Sequence, residues 1–342
     1  MRPNFTIYYC VKKLHFPLKR ILAWALFVAV LCGSIALLRT STVTEAEPNQ
    51  PYSGVLRLWH IDSFEGGKGS RSSYLSKIAR VYESENEGVL ILITVHTQES
   101  ASYAVSQGNM PDMFSFGTYD SFAADLLKPL DGYDFEAAAL NGATYAFPWC
   151  RGGYMLFTLD GDFTDVTSEN TVLSKGRNAL PELAACTSGL SGDFEVQDSL
   201  RAYINFLNGD FKYMVGTQRD VFRLKTREVN FQTKPLGGAN DLYQYIGICT
   251  GDSDKYAACQ KFVDQLISED AQKELSSIGM MSVICSNVYD SSEVALSNAE
   301  KTDCENRVKA FLSDQAKDEL EELSGRVLRG ESDIKNLQNF FA

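Results

Sequence analysis

The order of strands and helices between residues 55 and 116 constrains the fold more than any other feature of the chain. Residues 55–62 are apolar at alternating and adjacent positions, residues 89–95 are apolar almost throughout, and a shorter, mostly apolar segment covers 113–116. The first two segments predict strands that are buried in the sheet. Between the first two segments, apolar residues from Tyr74 to Tyr82 recur at the spacing of one helix face. Strands that alternate with helices form parallel sheets with helices on their faces, so this order predicts an α/β fold.

An apolar segment at residues 21–38 contains no charged residue. A helix of that length rises about 27 Å, which is close to the hydrocarbon thickness of a bilayer. Four basic residues precede the segment closely, whereas only Arg39 follows it closely. We therefore expect a single-pass transmembrane helix at the cell membrane, with a cytoplasmic N-terminus and an extracellular body. A cleaved signal peptide is the alternative; a lipoprotein signal is disfavoured because Leu31 precedes Cys32.

Charge is unevenly distributed along the chain. Residues 1–53 hold six basic and two acidic residues, a net charge of +4, which leaves −16 on the rest of a chain whose total is −12. An acidic body argues against a nucleic-acid partner, because nucleic acids bind clustered Lys and Arg. The hydrophobic fraction of 44% is that of a globular protein.

The body divides into two predicted lobes. The apolar stretch at 143–159 is interrupted by Pro148 and Gly152–Gly153, which predicts a strand that leaves one lobe, bends and enters another. A second apolar stretch at 242–249 predicts the returning strand. We expect a cytoplasmic tail, anchor and linker at 1–53, lobe 1 at 54–148 plus 246–342, and a short lobe 2 at 149–245. Thr217, with Asp220 three residues later, is a candidate helix cap in lobe 2.

Residues that support catalysis or metal binding are scarce. The body holds six cysteines, but it has no CxxC pair and no Cys/His cluster with zinc spacing, so we expect no metal and no cofactor. Disulfides and buried thiols both remain open for these cysteines. Only His60 and His96 lie in the body, and no GxSxG motif is present, so we expect no catalytic residues. A hydrolase that uses Asp62 with Glu65 is the weaker alternative.

Five stretches together resemble one family. In chain order they are WHIDSFEGGKGSR (59–71), MPDMFSFG (110–117), TYAFPWCRGGY (144–154), YMVGTQRDVFRL (213–224) and CQKFVDQLISEDAQKELSSIGMMSV (259–283). They resemble the extracellular solute-binding proteins of bacterial ABC importers, in the carbohydrate-type group. The resemblance implies a two-lobed, type II periplasmic-binding-protein-like fold that closes around one solute. It also implies a membrane permease and a cytoplasmic ATPase as partners.

Candidate ligand residues follow from this arrangement, because ligands of such sheets bind at the carboxyl ends of the parallel strands. Three loops meet that rule: 63–71, 96–99 and 117–119. A sugar needs polar groups for its hydroxyls and aromatic faces for its C–H surface. The first loop, the third loop and the predicted crossover supply both kinds, in Ser63, Phe64, Glu65, Gly66, Ser70, Arg71, Tyr119 and Trp149.

Candidates from the crossover, the other lobe and the returning strand are Arg151, Thr217, Arg219 and Tyr243. A structural alternative stands beside several candidates. Trp149 is equally suited to hinge packing, and Arg219 to a salt bridge within or between lobes. Arg71 is suited to an anionic ligand, to a carboxylate such as Glu65, or to solvent.

The sequence therefore predicts a protein that delivers a small polar solute, preferably a carbohydrate, to an ABC permease without chemistry. The alternatives are a membrane-anchored binder of an anion or another solute that acts as a sensor, and the hydrolase named above.

Overall fold

The computed structural model describes residues 52–302, 304 and 306–342. The predicted membrane segment at 21–38 lies outside the described residues. Within the described ranges, no helix combines the length and the apolar character needed to cross a bilayer.

Strands and helices alternate through most of the described chain. The strands are β1 Gly54–Ile61, β2 Val89–His96, β3 Met113–Gly117, β4 Ala139–Leu140, β5 Ala143–Thr144, β6 Phe147–Arg151, β7 Tyr154–Thr158, β8 Thr171–Lys175, β9 Glu195–Asp198, β10 Tyr213–Thr217, β11 Gln232–Pro235, β12 Ala239–Asn240, β13 Tyr243–Ile248 and β14 Asn306–Arg307. The α-helices are α1 Arg71–Glu85, α2 Gln98–Ser106, α3 Pro181–Thr187, α4 Ser199–Asn208, α5 Gln218–Thr226, α6 Ser253–Ile267, α7 Glu269–Lys273, α8 Val294–Lys301 and α9 Asp314–Leu328. Short 3₁₀ helices cover Ser121–Asp125, Glu136–Ala138, Glu274–Ile278 and Ile334–Phe340.

The first sheet has the strand order β2-β1-β3-β13-β6. Strands β1, β2 and β3 are parallel, while β13 runs antiparallel to both β3 and β6. The predicted parallel arrangement therefore holds for the first three strands, and their carboxyl ends meet at one edge. Pro148 lies in β6 at the opposite margin of the sheet, where a strand tolerates a residue without an N–H group.

The second sheet has the strand order β11-β7-β10-β8-β9. Strands β8, β9 and β10 are parallel, and β7 is antiparallel to β10 and β11. The two sheets with their helices form two lobes of an α/β fold, and one apolar cluster contains both Leu58 of β1 and Leu173 of β8. The chain passes from the first sheet to the second through Gly152–Gly153, between β6 and β7, and returns through β12 and β13.

The C-terminal helices lie against elements of the second sheet. Helix α8 packs against β11, and α9 packs against α3, which follows β8. Leu320 and Leu328 of α9 are buried in this contact layer. The sequence-based division placed these helices in lobe 1. The sequence could not assign them to a sheet, because an apolar stripe shows that a helix packs against something but does not show against which sheet.

Strand β2 differs from the sequence expectation of a buried strand. It is an edge strand, and Leu90 and Leu92 are 53% and 52% exposed. By contrast, four of the six cysteines of the body, Cys150, Cys186, Cys249 and Cys259, are buried in the core as small side chains. Burial raises the pKa of the Cys150 and Cys259 thiols to about 12, so both stay protonated at neutral pH.

Candidate functional site

A cleft of about 600 Å³ opens at the carboxyl edge of strands β1, β2 and β3. Asp62 follows β1, the segment 95–100 spans the end of β2 and the start of α2, and Asp120 follows β3. Arg177 and Asn178 reach the same cleft from the turn after β8 of the second sheet. Both sheets therefore contribute side chains to one cavity of small-ligand size.

The start of helix α2 forms one wall of the cleft. Thr97 caps the helix: its Oγ1 accepts the Ser100 N–H at 3.2 Å, while Ser100 Oγ accepts the Thr97 N–H at 2.9 Å. The His96 ring lies 4.5 Å from the Trp59 ring, between centroids. His96 Nε2 is buried and has no hydrogen-bond partner in the described part of the chain. This wall thus presents a fixed polar backbone beside an imidazole that lies in the lining of the cleft.

A chain of hydrogen bonds runs from the cleft into the first sheet. Asp62 Oδ1 lies 3.0 Å from His60 Nε2 and accepts from Arg71 Nε at 2.9 Å. His60 Nδ1 lies 3.0 Å from Ser115 Oγ. Burial would raise the pKa of Asp62, but the hydrogen bond from His60 and the charge of Arg71 outweigh it and hold that pKa well below its usual range. Asp62 therefore faces the cleft as a carboxylate.

The Ser115–His60–Asp62 series has the order of a hydrolytic triad, but its serine is enclosed. Ser115 Oγ accepts hydrogen bonds from Trp149 Nε1 and Gln244 Nε2, each at 3.1 Å. Its own proton is therefore donated to His60 Nδ1, which leaves the imidazole proton on Nε2, facing Asp62. Burial lowers the pKa of His60, so the ring is neutral. Because Ser115 is fully buried, this series is a structural network and not a nucleophile site.

The loop at 63–71, predicted to bind ligand, makes its contacts with other protein groups along most of its length. Ser63 Oγ donates to Gln244 Oε1 at 3.2 Å, and Phe64 is buried with the Arg71 guanidinium 4.3 Å from its ring centre. Ser70 caps helix α1 through the Ser73 N–H, and Gly66 is half-buried in the loop. Arg71 bonds to Asp62 and to the Phe64 carbonyl, not to Glu65.

Glu65 and Arg219 are brought together across the two lobes. Their carboxylate and guanidinium form an ion pair, and Ser199 Oγ donates to the same carboxylate at 3.2 Å. On the same side, Asn178 Nδ2 donates to the Ser63 carbonyl at 2.9 Å. Of the two expectations for Arg219, the salt bridge between lobes is the one that the structure contains.

Tyr119 also contacts protein rather than the cleft. Its hydroxyl donates to Asp241 Oδ2 at 2.9 Å, and the Tyr154 hydroxyl donates to Asp241 Oδ1 at 2.7 Å. The Leu180 N–H adds a third hydrogen bond to this carboxylate, at 3.1 Å. Asp241 is buried where the chain returns between sheets, and burial raises its pKa despite these hydrogen bonds. The cluster joins residues of both lobes at the crossover.

Four further candidates lie away from the cleft. Trp149 is fully buried with its ring stacked 5.7 Å from Tyr74, which matches the hinge-packing alternative. Arg151 and Tyr243 line a separate cavity of about 210 Å³, where Arg151 donates to the carbonyl oxygens of Ser282 and Glu300. Thr217 lies at the start of α5, where Asp220 accepts its N–H at 3.0 Å, as the capping pattern predicts.

The cleft is lined by residues that were not among the candidate ligand-binding residues, although Asp62 was named for the hydrolase alternative. Their common property is a polar or charged side chain at a strand end or turn: Asp62, His96, Thr97, Gln98, Glu99, Ser100, Asp120, Arg177 and Asn178. The strand-end rule had marked loop 96–99 without assigning residues in it. Nothing in the sequence marked Arg177 and Asn178, because region 160–200 has little periodicity.

No family model matches the sequence, and no curated protein matches it. Solved structures do match the fold. The GacH receptor of Streptomyces glaucescens aligns with TM-score 0.56 and 15% identity, over 82% of this chain and 94% of that one. MalE of Xanthomonas citri, a sugar-binding protein, aligns with TM-score 0.58 and 16% identity, over 84% and 95%.

The maltose–maltodextrin binding protein of Alicyclobacillus acidocaldarius aligns with TM-score 0.56 and 13% identity, over 84% of this chain and 98% of that one. At such identities the likeness establishes a shared fold. The fold that the chain shares with them is a two-lobed α/β fold. The structures to which this chain is similar include a receptor solved in complex with acarbose, a maltose–maltodextrin binding protein and a sugar-binding protein.

Proposed function

We propose that this protein is an extracellular solute-binding protein that delivers a small carbohydrate to an ABC import permease. The lobes close on the sugar, no bond is made or broken, and the 21–38 segment holds the protein at the cell membrane. The cytoplasmic ATPase that drives the permease is the second protein partner. The observation that carries the proposal is the polar cleft at the carboxyl edge of β1–β3, to which both lobes contribute.

The chemistry of the cleft suits a sugar. Carboxylates accept hydrogen bonds from hydroxyls, and Asp62 and Glu99 present carboxylates here. Asn178 and Gln98 carry amides that both donate and accept. His96 is the one aromatic ring among the described lining residues, so recognition depends on hydrogen bonds more than on stacking. A volume of about 600 Å³ supports a mono- to trisaccharide over a long chain.

Contacts between the lobes support closure as the mechanism. The Glu65–Arg219 ion pair and the Asn178–Ser63 hydrogen bond hold the lobes together beside the cleft. A ligand that contacts Asp62 on one lobe and Arg177 on the other stabilises that closed arrangement. Such differential stabilisation is population shift, and it requires no chemical step.

The alternatives differ in cleft charge and in product. Three carboxyl groups line the cleft, on Asp62, Glu99 and Asp120. Three cations stand against them: Arg177 in the lining, Arg71 paired with Asp62, and Lys317 bonded to Asn178. This balance of charge suits a neutral solute better than an anion. A sensor subunit is distinguished from an importer subunit by whether labelled sugar enters cells that carry the permease. A hydrolase is distinguished by consumption of the sugar.

The test is calorimetric titration of the full chain, purified in detergent, with a panel of neutral mono- to trisaccharides. We expect saturable binding of at least one sugar and its recovery unaltered by chromatography. Glu99→Ala removes a charge-assisted hydrogen bond and weakens that binding about tenfold. Glu87→Ala, an exposed glutamate at the opposite end of β2, is the matched control and leaves binding unchanged. Binding of no sugar in the panel, or conversion of the bound sugar, contradicts the proposal.

A further inference from the structure

A second cavity, of about 410 Å³, lies between the loop that follows β1 and helices α4 and α5 of the second lobe. Gly67 and Lys68 line it from the loop. Tyr203 of α4 and Phe222 of α5 form its aromatic part. We call this cavity the basic groove, because the remaining charged residues that line it are all arginines.

The arginines of the basic groove form a stripe on one helix face. Arg219, Arg223 and Arg227 are spaced four residues apart, which places them on one side of α5 and its C-cap. Four residues of helix rise about 6 Å, so successive guanidinium groups are within reach of one small ligand. The sequence RDVFRLKTR carries this stripe, but the predicted function made use of Arg219 alone.

The basic groove has an excess of positive charge in an acidic body. Arg219 is paired with Glu65, and Arg223 with Asp220 at 3.1 Å. Within the described residues, neither Lys68 nor Arg227 is in an ion pair. Of the four cationic side chains that line the basic groove, Lys68 and Arg227 are therefore available to an anion.

Tyr203 gives an independent sign of a ligand. Its ring lies under two guanidinium groups, 4.9 Å from that of Arg223 and 5.5 Å from that of Arg227. This stacking fixes both arginines in position. The side chain is only 2% exposed, and its hydroxyl has no hydrogen-bond partner among the described residues. A buried hydroxyl without a partner is costly, and a ligand oxygen that reaches it removes that cost.

We propose that the basic groove binds a phosphate group, either as free phosphate or as the phosphate monoester of a sugar. Planar guanidinium groups match phosphate oxygens in bidentate geometry, and Lys68 adds a point charge from the facing loop. Apolar atoms of Phe222 and of the exposed Leu200 border the cations and accommodate the carbon skeleton of an ester. Lys68 belongs to the first lobe and the arginines to the second, so the bound phosphate bridges the lobes and favours their closed arrangement.

The test is calorimetric titration of the full chain in detergent with inorganic phosphate and, separately, with glucose 6-phosphate. Ionic strength is held constant with chloride, because unspecific salt effects differ between anions. We expect saturable binding of at least one probe. Tighter binding of the ester identifies a sugar phosphate as the source of the group, and equal binding identifies phosphate itself.

Variants locate the binding in the basic groove. Arg227→Gln and Lys68→Gln each remove one charged donor and weaken phosphate binding about tenfold. Arg201→Gln, an exposed arginine of α4 outside the groove, is the matched control and keeps the wild-type affinity. Absence of saturable binding with both probes overturns the proposal, and so does equal binding by the Arg227→Gln and Arg201→Gln proteins.

Discussion

Asp120 makes the stability of the fold depend on pH in a direction that can be measured. Its carboxyl group is buried at the edge of the cleft, and one oxygen accepts the Gly117 N–H at 2.8 Å. Burial raises the pKa of Asp120 from 3.8 to about 6, although the Gly117 N–H opposes that rise. The folded protein therefore binds this proton more tightly than the unfolded chain does. The stability contributed by the protonated form is complete below pH 3.8 and is lost as the pH rises to about 6.

The size of this effect follows from the shift in pKa. Each unit corresponds to about 1.4 kcal/mol, so ionised Asp120 costs the folded state about 3 kcal/mol at neutral pH. Asp120→Asn keeps an oxygen that accepts the Gly117 N–H but does not ionise. Urea unfolding of both proteins is measured from pH 4 to pH 7.5, and the wild-type free energy of unfolding is subtracted from that of the variant at each pH.

We expect this difference to increase by about 2.5 kcal/mol between pH 4 and pH 7.5 in favour of the asparagine variant, because a small part of the effect is already present at pH 4. Subtraction removes the titrations that both proteins share, including that of His60. A difference that stays constant across the range, or that falls as the pH rises, refutes the reasoning, because it means that the buried carboxyl group ionises as easily in the folded protein as in the unfolded chain.

Three further changes test other contacts. Glu65→Gln removes the ion pair with Arg219, so we expect a larger radius of gyration by small-angle scattering without sugar; an unchanged radius contradicts a role of this pair in closure. Asp241→Ala leaves two buried tyrosine hydroxyls without their acceptor and lowers the free energy of unfolding by about 2–5 kcal/mol. A loss below about 1 kcal/mol contradicts a stabilising role of the Asp241 cluster at the crossover. Trp149→Phe removes the hydrogen bond to Ser115 and lowers the free energy of unfolding, measured with urea, by at least about 1 kcal/mol. An unchanged free energy of unfolding contradicts a stabilising role of this hydrogen bond.

Local signals in the sequence predicted most elements of the first lobe and the start of α5. Strand β1 and helix α1 follow the apolar periodicity, and Asp220 accepts the Thr217 N–H as the capping pattern requires. Strand β2 shows the limit of such signals. Its apolar run indicates a buried strand, but its place at the sheet edge is set by strand order, which no local pattern contains.

The position of the cleft was predictable from the sequence, but the side chains that line it were not. The strand-end rule marked the loop at 96–99, and this loop lines the cleft. The sequence could not predict the direction in which each side chain points. Phe64, Tyr119 and Trp149 are residue types that suit a sugar, but each is buried against protein. Contacts between distant residues decide this, such as the bond from Tyr119 to Asp241, which is 122 positions away.

The most direct test of the account is a crystal structure of the protein with the sugar that calorimetry identifies. We predict an intact sugar in the cleft, held by Asp62 and the start of α2 on one side and by Arg177 and Asn178 on the other. A sugar bound outside this cleft, or found there cleaved, contradicts the account.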